Sequence, residues 1–455
     1  MLVAENQRHA TAGDLTDERP VVVPEEGLPM TAFEHYMLRD DRPSHPMHIV
    51  GRFDFTGEPP ASLDAAFATQ LAREPLLSAT CGLGRRGPCW HAAPPPGVTF
   101  GPSPFDLKDD DGGLGFVPSL DPANGPLLQL RLWERPGGWS LGIAVHHAAA
   151  DGLGILGFLE RAFVRAAGLT PRRRRTSDPL AQLAIRGRIA TSWRQWAETC
   201  RRLPPGLWGV LQYVHRRVVA LDFAGLENAP AGPQVVSGTL AEAAIKAAIA
   251  RSGVAGASVN DHLVARLVET LAAALPPTAR EGRWIRLAVP WSLRTKSDRL
   301  LPACNRVSMV FVDRKPHGRL RGPRLLASVR DEIALIRRHE LGHIFPLSLE
   351  AGRRIPFAMS RPIDGRRPQS TAVVSNVGSF FRRSPLAADD GRISIGPSRL
   401  TGWWMTPPVR PGTAVAIGTH RLGERRTIAL RFDPMACSAE AAGGILADYL
   451  ERLAR

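Results

Sequence analysis

A chain of 455 residues, 44% hydrophobic and 22% charged, is long and apolar enough for two domains of ordinary size, which excludes a disordered chain and a small disulfide-stapled one. The net charge of +15 attracts anions, but no zinc-finger spacing, RNP-like motif or basic stripe interleaved with aromatics accompanies it, so nucleic acid is not an expected partner. Five scattered cysteines (Cys81, Cys89, Cys200, Cys304, Cys437), no apolar leader region and no run near the ~18–20 residues of a spanning helix point to a cytoplasmic chain.

Residues 1–27 are polar, acidic or Pro-containing and read as a disordered leader. Thr31 and Glu34 then spell an S/T-x-x-E box, which predicts a short amphipathic helix over 32–40. Residues 46–55 alternate as a strand, with His48 near its start, and 61–73 read as a helix. Pro75, Leu76 and Leu77 are expected to begin another strand, and the Gly/Pro/Asp-rich stretch 82–114 to be loop. Leu127 to Trp133 alternates strictly, turns at Pro136-Gly137-Gly138, and should pair as a hairpin with 139–146.

At the end of that hairpin stands His146-His147-Ala148-Ala149-Ala150-Asp151-Gly152, followed by Ile155, Leu156, Phe158, Leu159 and Phe163 at helical spacing. The motif therefore occupies a strand-to-helix turn, which Gly152 and Gly154 let be tight. An imidazole held there by rigid elements and open on one side has an unperturbed pKa near ~6.5, suited to taking a proton at neutral pH. Consecutive residues at a strand end face opposite ways, so one histidine should be catalytic and the other supporting. Asp151 is placed to fix the turn through hydrogen bonds or an Arg pair. Metal binding is not expected, because adjacent histidines seldom chelate one ion and neither an H-E-x-x-H sequence nor a Cys pair accompanies them.

Residues 171–221 are Arg-rich and separate two halves. On a helical wheel Ile185, Ile189, Trp193, Trp196 and Cys200 share one arc, with Arg186, Arg188, Arg194, Arg201 and Arg202 outside it. Leu207, Val210, Leu211, Val214 and Val218 form a second apolar face. Such a segment either lies on an anionic membrane or lipid-droplet surface or packs as a crossover with solvated arginines. In the second half, 239–250 reads as a helix, and Ser258 caps a long helix to Leu275. Asn260 and Asp261 at its start either satisfy the first amides or serve function. Strands follow over 287–294 and 305–312, the first ending in Arg294, which is a candidate to pair with a carboxylate or face a phosphate. After a helix over 323–339, residues 371–378 form a buried strand whose Ser375 and Asn376 are either oxyanion donors or turn formers. A hairpin of 413–419 with 427–432 and a helix over 439–453 close the chain.

His146-His147-x-x-x-Asp151-Gly152 resembles the active-site motif of the acyltransferases with a chloramphenicol acetyltransferase-like fold. That superfamily includes the bacterial wax ester synthase/diacylglycerol acyltransferases and the condensation domains of nonribosomal peptide synthetases. Pro46-Met47-His48, Val259-Asn260-Asp261, Ser292-Leu293-Arg294, Asn305-Arg306 and Ser375-Asn376-Val377-Gly378 resemble wax ester synthase sequences in the same order, whereas Gly125-Pro126-Leu127-Leu128 is closer to condensation domains. The resemblance implies a two-lobed α/β fold with the active-site channel between the lobes: an N-terminal lobe over 28–170, a basic crossover over 171–225 and a C-terminal lobe over 226–455. It implies His147 as general base, His146 in support, Asp151 as a structural salt-bridge partner, Gly152 in the turn, and Asn260, Asp261, Ser375 and Asn376 as oxyanion or channel candidates. The implied reaction needs no cofactor. It is O-acyl transfer from acyl-CoA to a lipid-like hydroxyl acceptor, a long-chain alcohol or diacylglycerol, in the cytoplasm or peripherally at the inner membrane or lipid droplets. Two alternatives stand beside it: ester or amide formation from a carrier-protein thioester, and a non-catalytic lipid-surface protein of the same fold.

Overall fold

The computed structural model describes residues 20–85, 87–100, 118–171, 178–187, 213–221, 234–277, 282–295, 298, 301–318, 320–353 and 368–455. Only 20–27 of the expected leader lie in that set. Of the basic crossover, Arg188, Ile189, Trp193, Arg194, Trp196, Cys200, Arg201, Arg202, Leu207, Val210 and Leu211 lie outside the described residues.

Two six-stranded sheets organise the chain. The first runs, in spatial order, β12 (Ser394–Ile395), β13 (Ser398–Thr406), β2 (His48–Thr56), β7 (Gly138–His146), β6 (Leu128–Arg135) and β5 (Val98–Phe100). The second runs β10 (Val307–Arg314), β9 (Ile285–Ser292), β11 (Ala372–Gly378), β14 (Val415–Leu422), β15 (Arg425–Phe432) and β8 (Gln234–Ala241). A small sheet joins β1 (Leu28–Pro29), β4 (Gly87–Ala92) and β3 (Ala79–Gly84).

Strand alternation decides what each sheet face meets. In the first sheet Ile49, Phe53, Phe55, Leu141, Ile143 and Val145 turn toward α2 (Leu63–Leu71) and α3 (Gly152–Ala166), where Phe67, Phe158 and Phe163 complete one core. Their neighbours Val50 and Ala144 turn the other way, with Trp133 and Trp404, and meet Val235 and Ala429 of the second sheet. The second sheet buries its far face under α5 (Val259–Ala274), α6 (Gly322–Arg338) and α7 (Ala439–Ala454). Each lobe is thus a sheet with helices outside, and the inner faces look at one another.

The division between lobes is not a single cut in sequence. β12 and β13, from within the lobe expected over 226–455, complete the first sheet, with β13 antiparallel to β2 and Trp403 opposite Phe53. At the join, a Cβ on Gly418 would lie 1.8 Å from the Met405 carbonyl oxygen, so only glycine lets β14 come that close to β13.

The capping box predicted at Thr31 forms. Thr31 Oγ1 accepts from the Glu34 amide at 3.2 Å, Glu34 accepts from the Thr31 amide at 2.9 Å, and α1 (Ala32–Asp40) follows. Three expectations are corrected. Pro75-Leu76-Leu77 is a turn, since Leu76 and Leu77 are both fully buried rather than alternating, and the strand begins at Ala79. The stretch expected as loop over 82–114 contains part of the hairpin β3/β4 and β5, because the small sheet buries Trp90 against β1. Arg186, placed on the solvated side of the wheel, is 3% exposed while Ile185 is 40% exposed. The reason is a buried carboxylate: α4 (Pro179–Ala184) ends just before, and Arg186 forks onto Glu34 through Nε and Nη2, both at 2.6 Å.

Candidate active site

β7 carries the histidine motif out of the first sheet, and both histidine amides are held as it leaves. The His146 amide donates to the Leu127 carbonyl at 2.9 Å and the His147 amide to the Met47 carbonyl at 2.7 Å. The rings then part as alternation requires. His146 is fully buried beside His48, its partner in β2, with the rings 5.8 Å apart. Its Nδ1 accepts from the Ala148 amide at 3.2 Å, so Nε2 carries the proton and lies 3.4 Å from Asp41 Oδ2. Burial would raise the Asp41 carboxyl, but the His146 bond and the Met47 amide outweigh it and hold it low. His48 is pushed down to about 3 by burial and by His146, and so stays neutral.

His147 is half-buried, with the Phe33 ring edge-on at 6.0 Å. Its Nδ1 is enclosed without a geometrically satisfactory partner, which leaves Nε2 as the open nitrogen. Burial lowers its pKa from the usual value, against the pull of its own carbonyl and of Asp151. The imidazole is therefore uncharged at neutral pH and able to accept a proton.

The turn that presents His147 is clamped from the second half of the chain. Asn305 Nδ2 donates to the carbonyls of His147 at 2.9 Å and Ala148 at 2.7 Å. Asp151 caps α3, its Oδ1 accepting from the Gly154 amide and from Arg294 Nη2, each at 2.8 Å, and its Oδ2 from the Arg306 amide at 2.7 Å. Arg294 also donates to the Cys304 carbonyl. Burial works against its charge, but Asp151 more than compensates and raises its pKa. Arg294 thus meets a carboxylate, one of the two roles its position suggested.

Gly154 is needed for closeness rather than for left-handed backbone, whereas Gly152 is crowded only by the end of a flexible side chain. A Cβ on Gly154 would meet the Cys304 oxygen at 2.9 Å, and one on Gly152 would meet Met405 at 3.1 Å. The clamp continues outward: Arg306 Nη1 donates to the Arg186 carbonyl at 2.7 Å, and Glu34, bound by Arg186, also accepts a hydrogen bond from Trp90 Nε1 at 3.0 Å. Asn305, Arg306, Glu34, Arg186 and Asp41 were not singled out by sequence as site residues. Only the Glu34 capping box and the Asn305-Arg306 pair left any local signal.

The other predicted residues are dispersed. Asp261 completes a capping box at the start of α5, its Oδ2 accepting from the Ser258 amide and hydroxyl, with Asn260 half-exposed beside it. Ser375 shares the inner face of the second sheet with Val373, whereas Asn376 points to the helix side, where its Oδ1 accepts from Gly378 N and Arg426 Nη1. An open cavity of about 470 Å³ near Leu77, Pro94, Asn124 and Gln129 includes none of these residues.

No protein-family model matches the chain, and no curated protein matches it. Solved structures do. The first condensation domain of the calcium-dependent antibiotic synthetase, in complex with substrate analogue 2a, is similar with a TM-score of 0.67 at 16% identity, covering 94% of this chain and 96% of that one. The starter condensation domain of rhizomide synthetase RzmA in complex with C8-CoA gives 0.65 at 13% identity over 94% of each chain. The X-domain from teicoplanin biosynthesis gives 0.59 at 16% identity over 96% of each. The chain has the two-lobed fold of condensation domains and chloramphenicol acetyltransferase-like enzymes, as the histidine motif implied.

Proposed function

We propose that this protein is an acyltransferase in which His147 serves as general base, moving a fatty acyl group from the thioester of acyl-CoA to a lipid-like hydroxyl acceptor. The observation that carries the reading is His147 itself: neutral by burial, open at Nε2, and held by a turn whose Asp151 and backbone carbonyls are locked by Arg294 and Asn305 from the second half of the chain. Nε2 takes the acceptor proton as the hydroxyl oxygen attacks the thioester carbonyl. The tetrahedral oxyanion collapses, the C–S bond breaks, and the thiolate leaves with the proton from the imidazolium. Of the predicted oxyanion donors, Ser375 has the better position because it faces the opposing lobe. Acyl-CoA is supported as donor by the C8-CoA complex of a structural neighbour.

Among the described residues no helix is long and apolar enough to cross a membrane. In this reading the basic segment 171–221 brings the enzyme to an anionic lipid surface, where a lipid acceptor resides.

A second reading is favoured by the condensation domains among the similar structures: the acyl group arrives on a carrier protein, and the acceptor is a hydroxyl or an amine. Free-thiol release from palmitoyl-CoA, with and without long-chain alcohol and diacylglycerol, separates the two. Acceptor-dependent release is expected, and His147→Ala should reduce it by about 10²–10⁴-fold. A folded His147→Ala protein with undiminished rate would overturn the mechanism, and release only from an acyl carrier protein would select the second reading.

A further inference from the structure

Just ahead of β2, residues 42–45 close a tight turn. The His45 amide donates to the Arg42 carbonyl at 3.0 Å, with Pro43 at the second position of the turn and Ser44 exposed at the third. Across the join between the sheets, just past β15, stands Asp433. Two bonds tie these segments together: Arg431 Nη1 donates to the His48 carbonyl at 2.5 Å, and His45 Nε2 meets Asp433 Oδ2 at 2.9 Å.

The second bond is half of a longer chain, because the other ring nitrogen, His45 Nδ1, lies 3.0 Å from Ser44 Oγ. Asp433 decides which way the protons point. Its Oδ1 accepts from the Met435 amide at 3.0 Å, and although burial works against the charge, the bond from His45 and that amide hold the carboxyl below its usual value. An ionised carboxylate only accepts, so Nε2 of the neutral ring carries the proton and Nδ1 the lone pair, toward which the Ser44 hydroxyl points. The orienting pair is sheltered, with the His45 and Asp433 side chains 13% and 10% exposed, while Ser44 is open to solvent. A Ser–His contact between chain neighbours is local, but the carboxylate behind it comes from 388 residues away. Nucleophile, base and orienting carboxylate within hydrogen-bond reach are the parts of an activated serine, which is recognised by geometry and not by sequence position.

We infer that Ser44, His45 and Asp433 make a covalent acylation site distinct from His147, which takes the acyl group of small activated esters. Ser44 Oγ attacks the ester carbonyl as its proton passes to His45 Nδ1. The bond from Oγ to the carbonyl carbon forms, the bond to the leaving oxygen breaks, and the leaving alcohol or phenol takes the proton from the imidazolium. The openness of Ser44 and of Met435, 58% exposed beside Asp433, suits a short apolar acyl group arriving from solvent.

The test is acetylation of the full chain by p-nitrophenyl acetate without coenzyme A, with the modified serines mapped and timed by mass spectrometry. Exposed Ser119 and Ser237 serve as internal references. Ser44 should acetylate about 10²-fold faster than either, the low end of general-base assistance, and His45→Gln should bring it down to their rate. Asp433→Asn presents an amide donor to the ring, which moves the ring proton to Nδ1, and should slow Ser44 by about tenfold or more. His147→Ala should leave Ser44 acetylation unchanged. A Ser44 that reacts no faster than Ser119 and Ser237, or as fast in a folded His45→Gln protein, would reduce the three residues to a structural bridge and overturn the inference. So would loss of the label in His147→Ala, which would make the main site the source of the acyl group. Should the substitutions at His45 and Asp433 fail to fold, the wild-type rate at Ser44 against the two reference serines decides alone.

Discussion

His146 and His147 share a peptide bond and little else. One donates inward toward Asp41 with no exposure, and the other keeps one nitrogen enclosed and one open. Alternation at a strand end is enough to separate them. Their chemistry then follows from surroundings, because burial lowers His147 below the usual histidine value. The sign is definite: the base works when unprotonated, so kcat/KM for acyl transfer should be flat from pH 7 to 8 and fall only as pH drops through a value below ~6.5. A pH–rate profile checks this. An inflection above pH 7 would mean that another group supplies the base.

At the scale of elements, the site depends on a relay from α1 to α3. Thr31 caps α1 and orients Glu34, Glu34 holds Arg186, the Arg186 carbonyl holds Arg306, and the Arg306 amide holds Asp151 at the start of α3. The links differ greatly in strength. Removing a cap costs about 1 kcal/mol, whereas removing one partner of a buried ion pair costs about 3–5 kcal/mol because the other charge remains buried. Glu34→Ala should therefore destabilise far more than Thr31→Ala in urea unfolding, and pairing it with Arg186→Met should recover part of the loss. Equal effects of the two single substitutions would show that the relay ends at the helix cap. The capping box was legible because it is a four-residue pattern. The arginine it serves was not, since Arg186 lies 152 residues away and its wheel position suggested solvent.

For the whole molecule, several buried histidines keep their contacts only while neutral, one of them where the two sheets join. His420 of β14 donates from Nε2 to the Trp403 carbonyl of β13 and is pushed down to about 3 by burial. His48 is also near 3, and His262, bonded to the Leu453 carbonyl, near 4. Each takes a proton more readily in the unfolded chain, at ~6.5, than in the folded one. Stability is thus undiminished by these groups above pH ~6.5 and declines as pH falls from there toward 3 to 4. Urea midpoints measured at pH 7.5, 5.5 and 4.5 should fall progressively, and His420→Gln, which keeps a donor without titrating, should make the decline shallower. An unchanged slope in that variant would remove His420 from the account.

Local chemistry sufficed for what the sequence by itself determined: strand periodicity in 46–55 and 139–146, the caps at Thr31 and Ser258, and a strand-turn-helix carrying His147 and Asp151. These depend on residues within a few positions of one another, so a short window contains the cause. The tertiary structure decided the rest. It chose Arg294, 143 residues on, as the partner of Asp151, moved β13 into the first sheet, buried Arg186, and turned Ser375 inward while Asn376 faces the helices. It also brought Asp433 against His45, 388 residues away. Those outcomes follow from register and from which face of each sheet is covered, and both are properties of strands meeting at long range.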